Sequence, residues 1–330
     1  MTIQITIIGL GQIGTSIGLA LANQKELIRR VGHDKDANTA RRANQMGAVD
    51  KVEGNLPNSV RDADIVMRTL PMNQIQETLQ YIVPDLKDGA VVMDTAPVKE
   101  VVAAWTNELL PPERFYVGLT PVINPAFLHG TDSGVEAANA DLFRGGLMAI
   151  VAPPRTSSEA VKLAADLTRL LGATALFADP LEIDGLMAAT HILPQIVSAA
   201  LLNATVDQPG WREARKVAGR AYAEVTAPIV HLSQPETLRT SALLNRDNVL
   251  RMIDSSIAAL QAIRNDIENE DAESLDERLK RAHAGRERWW SERQRGEFND
   301  HESVTAAEMP AASDIFSRLL GVNRRSRPKN

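Results

Sequence analysis

The chain has 330 residues, 44% hydrophobic and 24% charged, an ordinary globular composition long enough for two domains. A net charge of −6, a pI near 5.6 and 4% aromatic residues argue against a nucleic-acid partner or an acidic membrane surface. Cysteine is absent, which excludes disulfides, thiolate nucleophiles, iron–sulfur clusters and Cys-ligated zinc.

In chain order, the first half alternates β-branched runs with helical stretches. Strands are predicted at Ile3–Ile8, Ile28–Gly32, Ala63–Leu70, Ala90–Met93, Phe115–Gly118, Leu147–Val151 and Ala173–Phe177. Helices are predicted at Gly14–Gln24, Asn38–Met46, Asn73–Val83, Val98–Leu110 and Ser157–Leu171. This alternation predicts a parallel sheet covered by helices on both faces, an α/β class. The start, MTIQITIIGLG, has no basic stretch before its apolar run, and no apolar run reaches about 18 residues. The expectation is a cytoplasmic protein with no signal peptide and no membrane span.

The pattern changes near Asp179, which caps a helix that opens with Pro180 and has Glu182 in its first turn. No strand is predicted from there to Trp290. That first helix runs to Val206, is apolar around much of its circumference, and should kink at Pro194. Further helices are predicted at Trp211–Leu232, Pro235–Glu268 and Ala272–Trp290. The longest would reach about 50 Å at 1.5 Å per residue, too long for one small domain to cover. A break near Asn245–Asn248 or a partner chain is therefore expected. The domains are 1–178 (α/β), 179–295 (all helical) and 296–330, a mostly disordered tail holding a short amphipathic piece, Asp314–Leu320, and a basic end.

Gly9-Leu10-Gly11-Gln12-Ile13-Gly14 follows the first strand and opens the first helix, and Asp34 ends the next strand. That whole context is the Rossmann-type dinucleotide fingerprint. Gly9 permits the turn, Gly11 lets backbone approach a pyrophosphate, and Gly14 lets helix pack on sheet. With Gln12 and Ile13 they present a helix N-terminus to the phosphates. Asp34 suits the ribose hydroxyls of NAD and repels the 2′-phosphate of NADP. Lys35, Arg41 and Arg42 stand close behind and could offset that repulsion, so NADP is the alternative cofactor. His33 beside the acid reads as a lining residue.

Several further stretches resemble the prephenate/arogenate dehydrogenase family of tyrosine biosynthesis. They are Gly32–Asp36 with Gly47–Asp50, Asp62–Val66 ending in Leu70-Pro71, Asp94-Thr95-Ala96-Pro97-Val98-Lys99, Ser133–Phe143 and Leu244–Asn248. The resemblance spans about residues 3–290. It implies a Rossmann-like dinucleotide-binding domain followed by an all-α dimerisation domain, a homodimer, and a crevice rimmed by Leu70 and Pro71. It also implies NAD-dependent oxidative decarboxylation of a small carboxylic acid, prephenate or arogenate, in which a histidine takes the proton of the ring hydroxyl. A same-fold dehydrogenase for another small acid and a catalytically weak dinucleotide-binding paralogue are the alternatives.

The chain departs from the family at the chemistry-bearing positions. Thr120, in Gly118-Leu119-Thr120-Pro121, stands where the family keeps its histidine. Pro97 replaces a serine, and Ala227 replaces a substrate-binding arginine. The loop from Pro121 to Gly134, holding Asn124-Pro125, is longer than usual. A threonine cannot take up a proton near pH 7, so His129 on that loop and His191 on the helical side are the replacement candidates. His231, His283 and His301 read as surface residues. Arg68 interrupts the apolar run Ile65–Leu70 and needs an anionic partner, either a ligand or an acid of the protein. The six histidines are dispersed, and no metal site is expected.

Overall fold

The computed structural model describes residues 2–130, 132–154, 156–230 and 235–296. His231, His301 and the tail from 297 onward, including Asp314–Leu320 and the basic end, lie outside the described residues. The chain divides into a first unit that ends at Pro180 and a second that begins at Leu181.

The first unit is built on one eight-stranded sheet. Its strands are β1 (Ile3–Ile8), β2 (Ile28–His33), β3 (Lys51–Val52), β4 (Ile65–Arg68), β5 (Val91–Asp94), β6 (Phe115–Val122), β7 (Leu147–Val151) and β8 (Thr174–Ala178). They lie in the order β3-β2-β1-β4-β5-β6-β7-β8. The helices between them are α1 (Gln12–Ala20), α2 (Ala37–Gln45), α3 (Leu56–Val60), α4 (Met72–Ile82), α5 (Glu100–Leu109) and α6 (Ser158–Leu170). Side-chain oxygens cap three of them: Asp36 at α2, Asn55 at α3 and Ser157 at α6. Both sheet faces are buried. Ile5, Ile7, Met67 and Met93 pack on one face with Ile17 and Leu21 of α1 and Leu163 and Leu167 of α6. Ile8, Val66 and Val92 pack on the other with Leu79 and Ile82 of α4. The near-continuous apolar strands follow from this two-sided cover.

Three expectations for this unit need correction. The sheet is mixed, because β6 and β7 pair antiparallel, with Val122 opposite Leu147. Among the described residues the chain joining them holds two 3-10 turns, Pro125–Phe127 and Gly134–Ala137, and no α-helix. A parallel pair needs a crossover that carries the chain back to the other end of the sheet, usually an α-helix. β6 runs past Gly118 to Val122. Pro121 is tolerated there because β5 has already ended, and the strand has one paired neighbour. β3 and α3 are short elements with too little pattern to stand out in the sequence.

The second unit is helical throughout its described residues. α7 (Pro180–Met187) and α8 (Leu193–Val206) are joined by a π segment, Ala188–Ile192. The bend expected at Pro194 is taken up there. Proline lacks an N–H and crowds the carbonyl four residues back, at Thr190, and one widened turn relieves both. The helix predicted over Trp211–Leu232 splits into α9 (Trp211–Val217) and α10 (Arg220–Val230) around Ala218-Gly219. The overlong helix splits at Asn245 into α11 (Pro235–Leu244) and α12 (Arg246–Glu268), and α13 (Ala272–Arg295) follows. Buried Asn245 donates to the Asp184 carbonyl at 2.7 Å and accepts from Asn248 at 2.8 Å, so the break ties α12 to α7.

The core of this unit is small: Ala188, Ile192 and Val249, with Ile196, Leu238 and Met252 against them. Leu186, Val197, Leu250, Ile257 and Leu260 are exposed. By length and composition alone, Pro180–Val206 would pass as a membrane-spanning helix, which counting uninterrupted apolar runs did not register. Buried core helices and helix interfaces have the same composition.

The glycine turn gives a stability test. A Cβ at Gly14 would stand 2.0 Å from the Gly9 carbonyl oxygen and 2.4 Å from Thr69 Oγ1. Gly14→Ala should therefore destabilise the chain by at least about 1–3 kcal/mol in urea unfolding, as overpacking does. Gly54→Ala, where nothing lies within 4 Å of the added carbon, should shift stability by less than about 0.5 kcal/mol. Equal effects would mean that α1 does not depend on this approach.

Candidate functional site

At the carboxyl ends of β1 and β4 the chain builds a cradle. Gly9 has φ +92°, a left-handed conformation that favours glycine, and a Cβ there would stand 2.4 Å from the Thr69 carbonyl oxygen. Thr69 Oγ1 donates to the Gly9 carbonyl and fixes the turn against β4. Gly11 differs from both other glycines: an added Cβ meets nothing within 4 Å, and its φ of −73° suits any residue. Sterics inside the chain explain Gly9 and Gly14, and they leave Gly11 to a ligand. No side chain caps the N-terminus of α1, so its first N–H groups face the crevice unclaimed by a cap.

Asp34 ends β2 beside this cradle. Its Oδ2 accepts from the Leu10 N–H at 2.7 Å and its Oδ1 from the Asp36 N–H at 2.8 Å. The acid therefore holds the glycine loop to the second strand, and a carboxylate accepts further bonds through its remaining lone pairs. Leu70 and Pro71 lie half-buried where β4 gives way to α4. Gln12 turns aside: its Nε2 donates to the Ala137 carbonyl at 3.3 Å. Ile13 packs against the core below. His33 Nδ1 lies 2.8 Å from the Glu53 carbonyl oxygen.

The proposed proton acceptors fall in different surroundings. Thr120 is buried in β6, and its Oγ1 has no hydrogen-bond partner. His129 is exposed on the lengthened loop. His191 belongs to the second unit, within the π segment. The residue is exposed to solvent, and desolvation by the surrounding protein pulls its pKa below the ordinary histidine value. Pro97 is half-buried just before α5, and Ala227 is half-buried in α10.

Arg68 finds its acid inside the protein. Arg68, Asp94 and Gly118 are register partners across β4, β5 and β6. Asp94 is fully buried. Its Oδ1 accepts from Lys99 Nζ at 2.8 Å and from the Ala96 N–H at 2.8 Å, and its Oδ2 accepts from the Tyr116 hydroxyl at 2.6 Å. Arg68 Nη2 stands 3.9 Å from the same Oδ2, and Nη1 donates to the Ile75 carbonyl at 3.2 Å. Nε and Nη2 have no hydrogen-bond partner. Burial pushes the Arg68 pKa below its ordinary value against the pull of Asp94. One carboxylate thus serves two buried cations, and the arginine is the less well satisfied.

The nucleotide-binding domain model of prephenate dehydrogenase matches residues 17–176, and its dimerization domain model matches residues 179–281. The chain belongs to the prephenate dehydrogenase family. Prephenate dehydrogenase of Bacillus subtilis is 26% identical over 273 residues, 82% of this chain and 72% of that protein. Cyclohexadienyl dehydrogenase of Zymomonas mobilis is 25% identical over 287 residues, 86% and 94% of the two chains. The crystal structure of prephenate dehydrogenase from A. aeolicus in complex with hydroxyphenyl propionate and NAD+ matches with a TM-score of 0.76 at 22% identity, covering 87% of this chain and 98% of that one. Synechocystis arogenate dehydrogenase matches with a TM-score of 0.68 at 22% identity, covering 87% and 100%. At this identity the solved structures establish the shared fold. The family is one of NAD-dependent oxidoreductases.

Within the family frame, some contributors went unseen in the sequence. Thr69 braces the glycine turn, and Ser16 Oγ accepts from the Asn139 N–H at 3.0 Å, holding the Ser133–Phe143 stretch to α1. A hydroxyl residue at a strand end or in the second turn of a helix was the only available signal. The buried cluster gives a sharp test. Asp94→Asn removes the counter-charge of two buried cations and should cost about 3–5 kcal/mol in urea unfolding. Arg68→Leu removes the poorly satisfied cation and should be neutral or stabilising. A loss for Arg68→Leu as large as that for Asp94→Asn would show that Arg68 is well paired.

Proposed function

We propose that the chain binds NAD in the cradle of its first unit and oxidises a small carboxylic acid of the prephenate or arogenate type. The observation that carries this reading is the open face of Gly11 beside an uncapped α1 N-terminus and Asp34, in a chain matched by both domain models of the family. The donor set fits a dinucleotide. The α1 N–H groups would receive the diphosphate, and Asp34 would accept the ribose hydroxyls and disfavour a 2′-phosphate. When bound, NAD supplies the hydride acceptor.

The chain's own part in the chemistry is the handling of one proton. A hydride leaves the carbon that bears the ring hydroxyl. The hydroxyl proton is held by a basic group while the bond to the ring carboxylate breaks, CO2 departs with its electron pair left in the ring, and the proton returns to the phenol oxygen. Thr120 cannot do this at neutral pH, and its buried hydroxyl is unpartnered. His191 is the better placed of the two histidines chemically: desolvation keeps it neutral, hence able to accept a proton, across physiological pH. His129 lies exposed on the lengthened loop and is the second candidate. The departures at Thr120, Pro97 and Ala227 point to slow turnover.

The same reading includes a homodimer through the second unit, supported by its small core, its exposed Leu186, Val197, Ile257 and Leu260, and its match to a dimerization domain. A cytoplasmic setting, from the lack of cysteine, belongs to it too.

NADH formation with prephenate and with arogenate tests this. His191→Asn should lower kcat/KM by about 10²-fold or more, the scale of general-base help. His129→Asn should change it by less than about threefold, a shift under 1 kcal/mol. Because the acceptor must be neutral, the rate should fall as pH drops through the His191 pKa, which lies below about 6.5. That acid limb should vanish in His191→Asn. Fast turnover untouched by both substitutions would assign the proton to another group, and no NADH from either acid would leave the two alternatives, a dehydrogenase for another small acid and a dinucleotide-binding paralogue.

A further inference from the structure

The segment after the lengthened loop is a strap tied to the first two helices. Its 3-10 turn, Gly134–Ala137, is tied to α1 through Gln12 Nε2 and the Ala137 carbonyl, and just beyond it through the Asn139 N–H and Ser16 Oγ. A third tie reaches α2. Arg42 Nε and Nη2 donate to Glu136 Oε1 and Oε2 at 2.8 Å and 2.9 Å, a bidentate fork between residues 94 apart in sequence. The pairing raises the Arg42 pKa and lowers that of Glu136, each chiefly through the shared hydrogen bonds.

Position gives this fork a meaning. α2 begins at Ala37, three residues past Asp34, on the side of the cradle that receives the adenosine ribose. Arg42 lies in its second turn, and helical side chains lean back toward the N-terminus. Of the three basic residues that follow Asp34, Lys35 is exposed, and Arg41 donates to Asn38 Oδ1 within its own helix at 3.3 Å. Arg42 is clamped by a carboxylate from a distant part of the chain. A 2′-phosphate brings about two negative charges at neutral pH, by analogy with other phosphate monoesters, and must find cations to offset Asp34. A guanidinium already forked onto a carboxylate has its charge balanced and two of its donors used.

We propose that Glu136 is a cofactor-specificity residue: by clamping Arg42 it withholds the cation that a 2′-phosphate would need, and so reserves the cradle for NAD together with Asp34. The proposal rests on the reading of the cradle as an NAD site and extends it to a residue on the strap. Glu136 acts through Arg42, without touching the reacting atoms. Both side chains are about half exposed, at 47% and 59%, so a simple surface ion pair is the alternative role. A surface pair alone would not alter the choice between two nucleotides.

The test is calorimetric titration of NAD and of NADP into the unmodified chain, Glu136→Gln, Arg42→Ala and the double variant. The readout is the ratio of the two dissociation constants. Glu136→Gln should shift that ratio toward NADP by about tenfold or more, the scale of a hydrogen bond to a charged group. In the Arg42→Ala background the same substitution should shift it by less than about threefold, since the cation it releases is gone. NAD binding with a ratio unchanged by Glu136→Gln overturns the proposal alone, as does a full shift that persists without Arg42. Binding of neither nucleotide by the unmodified chain overturns the dinucleotide reading and the proposal with it.

Discussion

The first unit depends on one close approach. The first helix comes down on the sheet so tightly that no carbon fits at Gly14 between it and the Gly9 carbonyl and Thr69. That contact sets the N-terminus of α1 against the carboxyl ends of β1 and β4, and Gly9 can make the turn only because it lacks a Cβ. Asp34 then ties the loop to β2 through the Leu10 N–H. On the far side of α1, Gly18 meets the Ala48 backbone just as closely, and buried Arg30 donates to the carbonyls of Gly18 and Gly47 while gripping Asp50. Packing therefore holds the helix at both ends before any ligand arrives, and a preorganised cradle spares the ordering cost of binding.

The second unit follows a different logic. α7 and α8 are apolar, but among the described residues they have little in this unit to bury against. Polar ties join its helices: Asn245, at a break, reaches the Asp184 carbonyl, and between α8 and α10 Ser198 reaches the Thr226 carbonyl and Tyr222 meets Thr205. The π segment that relieves Pro194 also carries His191, whose pKa desolvation lowers. π-bulges of this kind often mark functional positions.

Much of this was legible in the sequence, for reasons that differ by element. β1 and β7 were found at their bounds because a strand buried on both faces is rich in β-branched and apolar residues, four isoleucines in β1 and five apolar residues in β7. The antiparallel β6–β7 pair was not, since direction depends on the connection and not on the strands. β3 and α3 are too short to write a period. The break at Asn245 was expected because a helix that long could not be covered. The cradle was legible because glycine spacing reports backbone sterics. Arg68 stood out as a charge in an apolar run, and the choice between ligand and internal acid needed the register that sets it beside Asp94. The fork of Arg42 with Glu136 was invisible, because nothing local links residues so far apart.

The central claim is that Gly11 is glycine for the sake of a ligand. Gly11→Val separates that claim from any role in folding, because its φ of −73° suits a side chain and its Cβ direction is open. Calorimetric titration of NAD into Gly11→Val and the unmodified chain, at matched urea stability, is the most direct measurement. NAD should bind the unmodified chain and lose at least about tenfold in affinity, roughly 1.4 kcal/mol, in the valine variant, with its folding unchanged. Equal affinity for the two proteins would contradict the account, since the diphosphate would then lie somewhere other than the α1 N-terminus.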